Sequence, residues 1–295
     1  MNMEDIILSG ERFQQLCDVY CGSHYDLHRN PKIAAQPDKH ILLDTLTQPW
    51  NNPRLIFCYS CALSTFMNKL HLLQNPFILV SHNEDDNVTE QFLPIANHPL
   101  LIHWFAQNLM IRHTKISWIP IGIANEMWPH GNPGMFLQTC ANLASFPKEY
   151  DVFFNFSIHT NQGARQPCKT ILEQKGLTFV PTLPLTSYLP VLATHRYAIC
   201  PPGNGVDCHR IWECLMVGTI PILLRSCFTE TIAETIPCIL LNSWEDFSLE
   251  QIHQEYPRLS HALLTIHSNG TLQFSTFVTK IHSLSKELDP HVSRI

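Results

Sequence analysis

The residues best suited to chemistry lie in one segment, residues 200–214, with the sequence CPPGNGVDCHRIWEC. The pattern predicts a glycine-rich turn over Pro201–Val206 and a helix over residues 208–217, with Asp207 at the N-cap of that helix. The first turn of a helix presents backbone N–H groups and the positive end of the helix dipole, which together favour anions. The segment therefore predicts an anion site where a buried strand passes into a helix.

Three polar side chains share the face of this predicted helix that lies opposite its apolar stripe. They are His209, Arg210 and Glu213. An arginine can place two N–H groups on phosphate oxygens, and a carboxylate one turn later can accept hydrogen bonds from two ribose hydroxyls. These residues predict a site for a diphosphate attached to a ribose. The structural alternative is a capped helix with a surface Arg–Glu pair worth about 0.3–0.5 kcal/mol.

A second group of titratable residues, His82-Asn-Glu-Asp-Asp86, directly follows a predicted buried strand. Asp85 or Asp86 could take the proton of an acceptor hydroxyl, with His82 beside them as a third candidate catalytic residue. Crowding of like charges would raise the pKa of one carboxyl group toward the working range of a base. The same oxygens could bind a divalent cation. A solvated acidic turn that caps a helix is an equally good interpretation.

Further polar and aromatic residues lie near the ends of other predicted strands. Arg165 follows a polar loop after the strand Asp151–Phe156, and we expect it to approach the Pro201–Arg210 turn and hold the same diphosphate. A sugar site could include residues on or near a predicted helix over residues 99–113, although core packing is the more common role of a tryptophan. These residues are His103, Trp104, Asn108, Trp118 and Trp128.

Short apolar runs alternate with helical patterns along the chain, which predicts βαβ units and an α/β fold with two parallel sheets. The first predicted sheet has strands at 54–59, 76–81 and 115–119, with helices at 62–73 and 99–113. The second has strands at 151–156, 179, 197–200, 220–224 and 238–241, with a helix at 166–175. Ligands of such sheets bind at the carboxyl ends of the strands.

The polar stretch 142–150 separates the two series of elements. It predicts a Rossmann-like acceptor-side domain over residues 1–148 and a Rossmann-like donor domain over 149–270, facing each other across a cleft. A helical apolar stripe in residues 271–295 predicts a C-terminal helix that packs back on the domains.

The composition excludes several classes of protein. Nineteen Lys and Arg residues against 25 Asp and Glu residues leave a net charge of −6, and no basic run favours a nucleic-acid partner. Eleven cysteines, odd in number and scattered through apolar runs, indicate reduced buried thiols. We expect no transmembrane segment and a cytoplasmic location, with peripheral membrane association left open.

Familiar nucleotide and hydrolase motifs do not fit. Gly203 and Gly205 lack the third glycine of a dinucleotide-binding fingerprint, and neither GxxxxGK[ST] nor GxSxG occurs. Cys58 and Cys61 form a lone CxxC pair without the second pair of a zinc finger, which favours packing over metal or redox chemistry. Hydride transfer, ATP hydrolysis and serine hydrolysis therefore lose support.

Residues 197–224, with the sequence YAICPPGNGVDCHRIWECLMVGTIPILL, resemble the donor-site signature of exostosin-like (GT47-type) glycosyltransferases. The similarity is greatest to the short forms found in microbes and large DNA viruses. The other stretches that resemble this family are Phe77–Asp85, Trp104–Asn108, Ile119–Asn125, Trp128–Gly131 and Phe154–Asn161 leading to Arg165. Together the matched stretches run from about residue 54 to about residue 245.

The resemblance implies a GT-B fold and a nucleotide-diphosphate sugar, with UDP or GDP, as co-substrate. It implies inverting displacement without an obligatory metal, because arginine and the helix terminus would offset the charge of the leaving diphosphate. By position, the donor would be held by Arg165, Asn204, Gly205, Asp207, His209, Arg210 and Glu213. The acceptor or the cleft would be lined by Asn83, Asn108, Gly122 and Asn125.

The acceptor itself is left open by the sequence: a glycan, a lipid-linked glycan or a protein would each supply a hydroxyl. Two alternatives to a transferase remain. A catalytically silent nucleotide-sugar-binding or scaffold protein would keep the donor residues and turn nothing over. A phosphorylase or epimerase would use the same architecture for a different reaction.

Overall fold

The computed structural model describes residues 3–50 and 52–285, and the chain divides into two compact units. Of the described residues, the N-terminal unit contains Leu8–Ile121 and 274–285, and the C-terminal unit contains Gly122–Gln273 and residues 3–7. The division falls after Ile121 rather than at the predicted residue 148. The reason is the packing of the helix Pro133–Ala141, which contacts the helix Leu185–Ala193 of the C-terminal unit.

The N-terminal unit is built on a six-stranded sheet in which every neighbouring pair is parallel. Its strands are β1 (Val19–Gly22), β2 (His40–Leu42), β3 (Leu55–Tyr59), β4 (Phe77–His82), β5 (Leu101–Ala106) and β6 (Ile116–Trp118), in the order β2-β1-β3-β4-β5-β6. Its helices before Ile121 are α1 (Gly10–Gln15), α2 (His24–Arg29), α3 (Pro31–Ala34), α4 (Leu63–Asn68) and α5 (Leu93–Ala96).

The central strands β3 and β4 are the continuous apolar runs from which the sequence predicts buried strands. All residues of β3 and β4 are buried, as expected for a parallel sheet that is covered on both faces. The helix predicted over residues 99–113 was wrong, because β5 occupies Leu101–Ala106 and pairs with β4 on one side and β6 on the other. Short apolar runs do not separate a buried strand from a buried helix by periodicity alone.

The C-terminal unit is built on a four-stranded parallel sheet. Its strands are β7 (Tyr150–Phe153), β8 (His195–Ile199), β9 (Ile220–Leu224) and β10 (Ile239–Leu241), in the spatial order β10-β9-β8-β7. Its helices are α6 (Pro133–Ala141), α7 (Gln162–Gln174), α8 (Leu185–Ala193), α9 (His209–Met216), α10 (Cys227–Ala233) and α11 (Leu249–Ser268). The α/β class with parallel sheets, predicted from the sequence, is confirmed.

The strand predicted at Phe179 is absent, since residues 177–184 have no regular secondary structure. This segment nevertheless follows the open edge of the sheet. The Val180 N–H donates to the Phe154 carbonyl at 2.8 Å, and the Asn155 side chain donates to the Val180 carbonyl at 2.9 Å. Its irregular backbone is thus tied to the carboxyl end of β7 by single contacts rather than by a ladder.

The N-terminal sheet has a point at which the chain reverses its direction of travel across the sheet, because β2 lies on one side of β1, and β3 to β6 follow on the other. In the C-terminal unit the strand order follows the chain order, from β7 at one edge to β10 at the other. Crevices form at the carboxyl ends of the strands at such reversal points and commonly bind ligands.

The last described helix, α12 (Phe274–Ser285), belongs to the N-terminal unit. The Phe277 ring lies 5.9 Å from the Trp118 ring and 5.8 Å from the Phe13 ring, between centroids. The Arg12 guanidinium lies over the Phe274 ring at 3.9 Å. The apolar stripe predicted in this region is therefore a packing face, and residues 286–295 of the predicted C-terminal segment lie outside the described residues.

Replacing Phe277 with alanine should destabilise the N-terminal unit by about 3–5 kcal/mol, because the buried ring fills the space between Trp118 and Phe13. Amide hydrogen exchange should accelerate in α1 and β6 and stay unchanged in α9. Leu264→Ala, at a side chain 68% exposed on α11, should change the free energy of unfolding by less than about 0.5 kcal/mol. Equal acceleration in both units after Phe277→Ala would contradict the assignment of α12 to the N-terminal unit.

Candidate functional site

Helix α9 begins at His209, and Cys208 occupies its N-cap without a side-chain capping hydrogen bond. Asp207 was predicted to be the N-cap, but this residue lies one position earlier. Its Oδ1 accepts a hydrogen bond from the indole N–H of Trp212 at 2.6 Å. The buried indole must satisfy its only donor, and this need directs the Asp207 carboxylate. The Cys208 side chain therefore does not accept a hydrogen bond from the backbone N–H groups of the first turn.

Arg210 projects a guanidinium group into the C-terminal unit close to the end of β7. Its Nη1 is buried and has no hydrogen-bond partner among the described residues. Nη2 donates a long bond of 3.5 Å to Asn155 Oδ1, and the group lies 5.1 Å from the Tyr188 ring centroid. A buried N–H without an acceptor costs about 1–3 kcal/mol, and more when the group is charged. The geometry therefore leaves this cation able to accept an anionic partner.

Glu213 lies one turn later on α9 and is only 7% exposed. Its Oε2 accepts a hydrogen bond from the Tyr188 hydroxyl at 2.7 Å, which uses one of the two carboxylate oxygens. Burial lowers the pKa of Arg210, but the acidic groups nearby, including Tyr188 and Glu213, outweigh that effect and raise it overall. Arg210 therefore stays charged, and the Glu213 side chain lies one turn later on the same helix.

His209 contacts the segment that enters the C-terminal unit. Its Nδ1 lies 2.7 Å from the Gly122 carbonyl oxygen, and Gly122 has a φ of +66°, in the left-handed region that glycine adopts without strain. The His209 ring also lies 6.2 Å from the His130 ring. Burial, with His209 next, lowers the pKa of His130. Gly122 is thus brought to the start of α9, within the unit that carries the predicted donor residues.

Arg165 lies on the first turn of α7 and is 8% exposed. Its Nε donates to the Pro202 carbonyl at 2.9 Å, and its Nη1 donates to the Ser157 carbonyl at 2.7 Å. The side chain therefore ties the loop after β7 to the turn after β8. Burial lowers the pKa of Arg165, and Arg210 lowers it further. One N–H group bonds to the turn and another to the loop after β7, so its predicted diphosphate contact would use the remaining edge of the guanidinium.

The glycine-rich turn itself is tight. The Gly203 N–H donates to the Gly205 carbonyl at 3.1 Å, and the Asn161 side chain donates to the Gly203 carbonyl at 2.6 Å. Asn204, at the apex, is exposed. The structure thus brings Arg165, the turn and the start of α9 together at the carboxyl end of this sheet.

In the N-terminal unit, the predicted catalytic loop begins with a buried histidine. His82 is 1% exposed, its Nε2 lies 3.0 Å from the Pro120 carbonyl oxygen, and its Nδ1 accepts from the Asn83 N–H at 2.7 Å. Both ring nitrogens contact the backbone, which suits a structural role. Asp85 and Asp86 are exposed.

The polar residues predicted to line an acceptor site hold this loop in place. Asn83 and Asn108 both have left-handed backbones, with φ of +69° and +52°. Asn108 donates through Nδ2 to the Glu84 carbonyl at 3.1 Å, and Asn83 donates through Nδ2 to Gln14 Oε1 at 2.8 Å. Asparagine tolerates this conformation better than most residues. These side chains shape the loop that presents Glu84.

Of the aromatic candidates for a sugar site, Trp104 is a core residue. Trp104 is fully buried and donates its indole N–H to Ser81 Oγ at 2.8 Å. His103 Nε2 lies 2.9 Å from Ser117 Oγ, and burial lowers the pKa of His103 to about 4. Trp128, by contrast, is 46% exposed. Core packing, the more common role, therefore describes Trp104 in this structure.

Glu84, which the sequence placed in the acidic loop without a role of its own, has the most perturbed carboxyl group of that loop. It forms an ion pair with Arg29 of α2, and the side chains are 19% and 17% exposed. Burial raises the pKa of Glu84 to about 6, although Arg29 acts in the opposite direction. No sequence pattern links these two residues, because the ion pair depends on how the fold places the end of α2 beside the loop after β4.

Asp26, Cys61 and Glu84 offer ligand atoms within 4.8 Å of one another. The Arg29 guanidinium is bonded to Glu84 in the same group. A guanidinium placed on the carboxylate repels a metal cation, so the arrangement favours an ion pair over the divalent-cation site considered from the sequence.

No family model matches the chain. A probable glycosyltransferase of Arabidopsis thaliana is 27% identical over 96 residues, which are 32% of this chain and 17% of the relative. The GtfA/B complex is a structural neighbour with a TM-score of 0.42 and 8% identity, covering 79% of this chain and 57% of that one. Pneumococcal O-GlcNAc transferase GtfA, solved with UDP and GlcNAc, has a TM-score of 0.36 and 10% identity over 83% and 56% of the two chains.

The Arabidopsis match establishes sequence similarity to a probable glycosyltransferase over about a third of the chain, and the chain spans only 17% of that relative's length. Among the described residues, no helix is long and apolar enough to cross a membrane.

Gly131→Ala should lower the free energy of unfolding by about 1–3 kcal/mol. A Cβ at this position would lie 2.0 Å from the Asn125 carbonyl oxygen, so the backbone that holds Gly122 against His209 would have to move. Gly163→Ala is the matched control, because its Cβ would meet nothing closer than 3.9 Å and alanine favours helices. Urea denaturation measures both, and an unchanged midpoint for Gly131→Ala would contradict the close approach.

Proposed function

We propose that the protein is a glycosyltransferase of exostosin-like type that transfers a sugar from a nucleotide-diphosphate donor to an acceptor hydroxyl. The observation that carries the proposal is the guanidinium of Arg210, whose buried Nη1 has no partner among the described residues. It lies on the first turn of a helix that its N-cap residue, Cys208, does not cap through its side chain, at the carboxyl end of the sheet. The sequence similarity to a probable glycosyltransferase of Arabidopsis thaliana supports the same activity.

On this proposal, Arg210 and the N–H groups at the start of α9 bind the diphosphate. They stabilise the negative charge that develops on the leaving group as the bond to the sugar breaks, which is the largest electrostatic demand of the reaction. Asn204 and Gly205 supply further backbone N–H groups, and Asp207 and His209 complete the site. Arg165 positions the turn and directs its remaining guanidinium edge to the phosphates.

Glu213 binds the ribose hydroxyls of the donor. The Tyr188 hydroxyl bond to Oε2 supports this role, because it fixes the orientation of the carboxylate before the nucleotide arrives. Two hydroxyls donated to one buried carboxylate form charge-assisted hydrogen bonds. The base is uracil or guanine, and the fold expected for such an enzyme is GT-B, with two Rossmann-like domains.

The reaction is a direct displacement. The acceptor oxygen attacks the anomeric carbon with inversion, and a carboxylate of the loop His82–Asp86 takes its proton. Asn83, Asn108, Gly122 and Asn125 shape the surroundings of the acceptor, which is a glycan, a lipid-linked glycan or a protein. The chemistry needs no obligatory metal, since arginine and the helix terminus offset the charge of the diphosphate.

UDP or GDP should stabilise the protein, by about 2.7 kcal/mol at a concentration near 100 times Kd. Arg210→Gln should weaken that binding about tenfold to a hundredfold, because it removes charge-assisted hydrogen bonds worth about 1.5–3 kcal/mol. The affinity of Arg210→Lys should lie between those of the wild type and Arg210→Gln, because lysine keeps the charge but lacks the paired N–H groups of a guanidinium. Thermal melts and titration calorimetry measure these effects.

Arg196→Gln is the matched control. Arg196 lies on β8 and pairs with Asp151 at the surface, so its loss should leave nucleotide affinity unchanged. If neither UDP nor GDP raised the melting temperature, the proposed function would be wrong. If a nucleotide bound but the sugar donor were never consumed, even by transfer to water, the protein would be a silent binder instead.

A further inference from the structure

The acidic loop of the N-terminal unit contains three carboxylates in a row, and their environments differ. Asp85 and Asp86 are exposed. Glu84 is turned inward, with its side chain 19% exposed, and pairs with Arg29. Arg29 Nη2 also donates to the Asn83 carbonyl at 2.9 Å. The guanidinium thus fixes both the backbone before Glu84 and the carboxylate itself.

This pair lies at the chain-reversal point of the N-terminal sheet. Arg29 ends α2, the helix that follows β1, and Glu84 follows β4, the neighbour of β3. Asp26 of α2 and Cys61 at the end of β3 complete the surroundings, with Cys61 Sγ 3.8 Å from Asp26 Oδ2. Carboxyl ends of strands at a reversal point form the crevice that binds ligands in open α/β sheets.

Buried polar atoms without partners flank the loop that carries Glu84. Gln107, at the end of β5, is fully buried and uses Oε1 to accept from the Asn83 N–H at 3.0 Å, while its Nε2 has no partner among the described residues. Ser60, at the end of β3, is 2% exposed and its Oγ is likewise unsatisfied there. β3 and β5 are the two neighbours of β4. Each unmet group costs about 1–3 kcal/mol, and a ligand rich in hydroxyls would remove that cost.

We infer that Glu84, positioned by Arg29, is the base that deprotonates the acceptor, and that the acceptor is a hydroxyl-rich molecule such as a sugar. This inference rests on the proposed glycosyltransferase function. The acceptor O–H bond breaks as its oxygen bonds to the anomeric carbon. The proton goes to the Glu84 carboxylate, and the electron pair of the anomeric C–O bond leaves with the nucleotide diphosphate. No other reactant is needed.

The charges around Glu84 suit this role. The charged groups that act on Glu84 are Arg29 and Asp26 from α2 and Asp85 on its own loop. Tyr59 and Cys61, at the end of β3, interact with Glu84 as well. Burial, Asp26 and Asp85 raise its pKa while Arg29 lowers it, with a net value of about 6. A base with this pKa is ionised at neutral pH and still binds a proton well.

The test uses the full chain with UDP-glucose or GDP-glucose, whichever stabilises it, and measures release of the nucleotide with water or a panel of free sugars as acceptor. Glu84→Gln should reduce the turnover rate about 10²–10⁴-fold and leave nucleotide affinity unchanged. Glu84→Asp should recover part of the rate. Glu90→Gln is the matched control, because Glu90 is an exposed glutamate a few residues after the loop, and this variant should match the wild type.

The pH profile separates catalysis from structural support. Turnover by the wild type should rise with pH through about 6, as Glu84 loses its proton. Asp26→Asn removes a charge that raises the pKa of Glu84, so the pH at which turnover rises should become lower. Arg29→Gln removes a charge that lowers this pKa, so the pH at which turnover rises should become higher. If the ion pair were merely structural, these variants would change the melting temperature without changing the pH at which turnover rises.

Wild-type turnover with an unchanged rate in Glu84→Gln would overturn the assignment of Glu84 and leave the transferase function standing. A large loss in Asp85→Asn or Asp86→Asn, with Glu84→Gln active, would assign the base to that residue instead. Nucleotide binding without any turnover by the wild type would overturn the proposed function, and with it the role of Glu84.

Discussion

The constraint on which the candidate site of the C-terminal unit depends is a charged guanidinium with a buried Nη1, that of Arg210 on α9, one turn before Glu213. A charge removed from water must be compensated by nearby groups, and here the compensation is incomplete, since Nη1 of Arg210 has no partner among the described residues. The Tyr188 hydroxyl fixes Glu213, and the end of β7 supplies the distant contact from Asn155. The surrounding elements hold a cation at one position at a cost in stability, which is the pattern expected of a site that binds an anion.

Each unit places an arginine near the carboxyl end of its sheet, with opposite consequences. In the C-terminal unit the arginine keeps unmet bonding capacity, so the site is suited to an anionic ligand. In the N-terminal unit Arg29 already bonds to Glu84 and to the Asn83 carbonyl. The group with the shifted pKa there is the Glu84 carboxyl, whose pKa burial raises to about 6. On the proposed function, the C-terminal unit offers a positive charge to the donor, and the N-terminal unit offers a proton acceptor.

The sequence pattern located most of the parallel strands because buried strands of such sheets are continuous apolar runs. β3, β4 and β9 lie where the pattern placed them, within a residue or two. It missed β1 and β2, which are short, and β2 includes His40 and is only partly buried. It mistook β5 for a helix, since six apolar and aromatic residues fit either element, and only the hydrogen-bonding partners on both sides decide.

The sequence by itself determined the chemistry available at the site: a glycine-rich turn before a helix whose polar face carries His209, Arg210 and Glu213, and an acidic loop after a buried strand. These are local properties, set by spacing along one element. The tertiary structure alone decided which of those groups are able to act. Asp207 is directed by the Trp212 indole, His82 is held by the Pro120 carbonyl, and Glu84 is turned inward by Arg29. Burial and pairing with residues distant in the chain set the charge state of a side chain, and neither is encoded in the spacing of its neighbours.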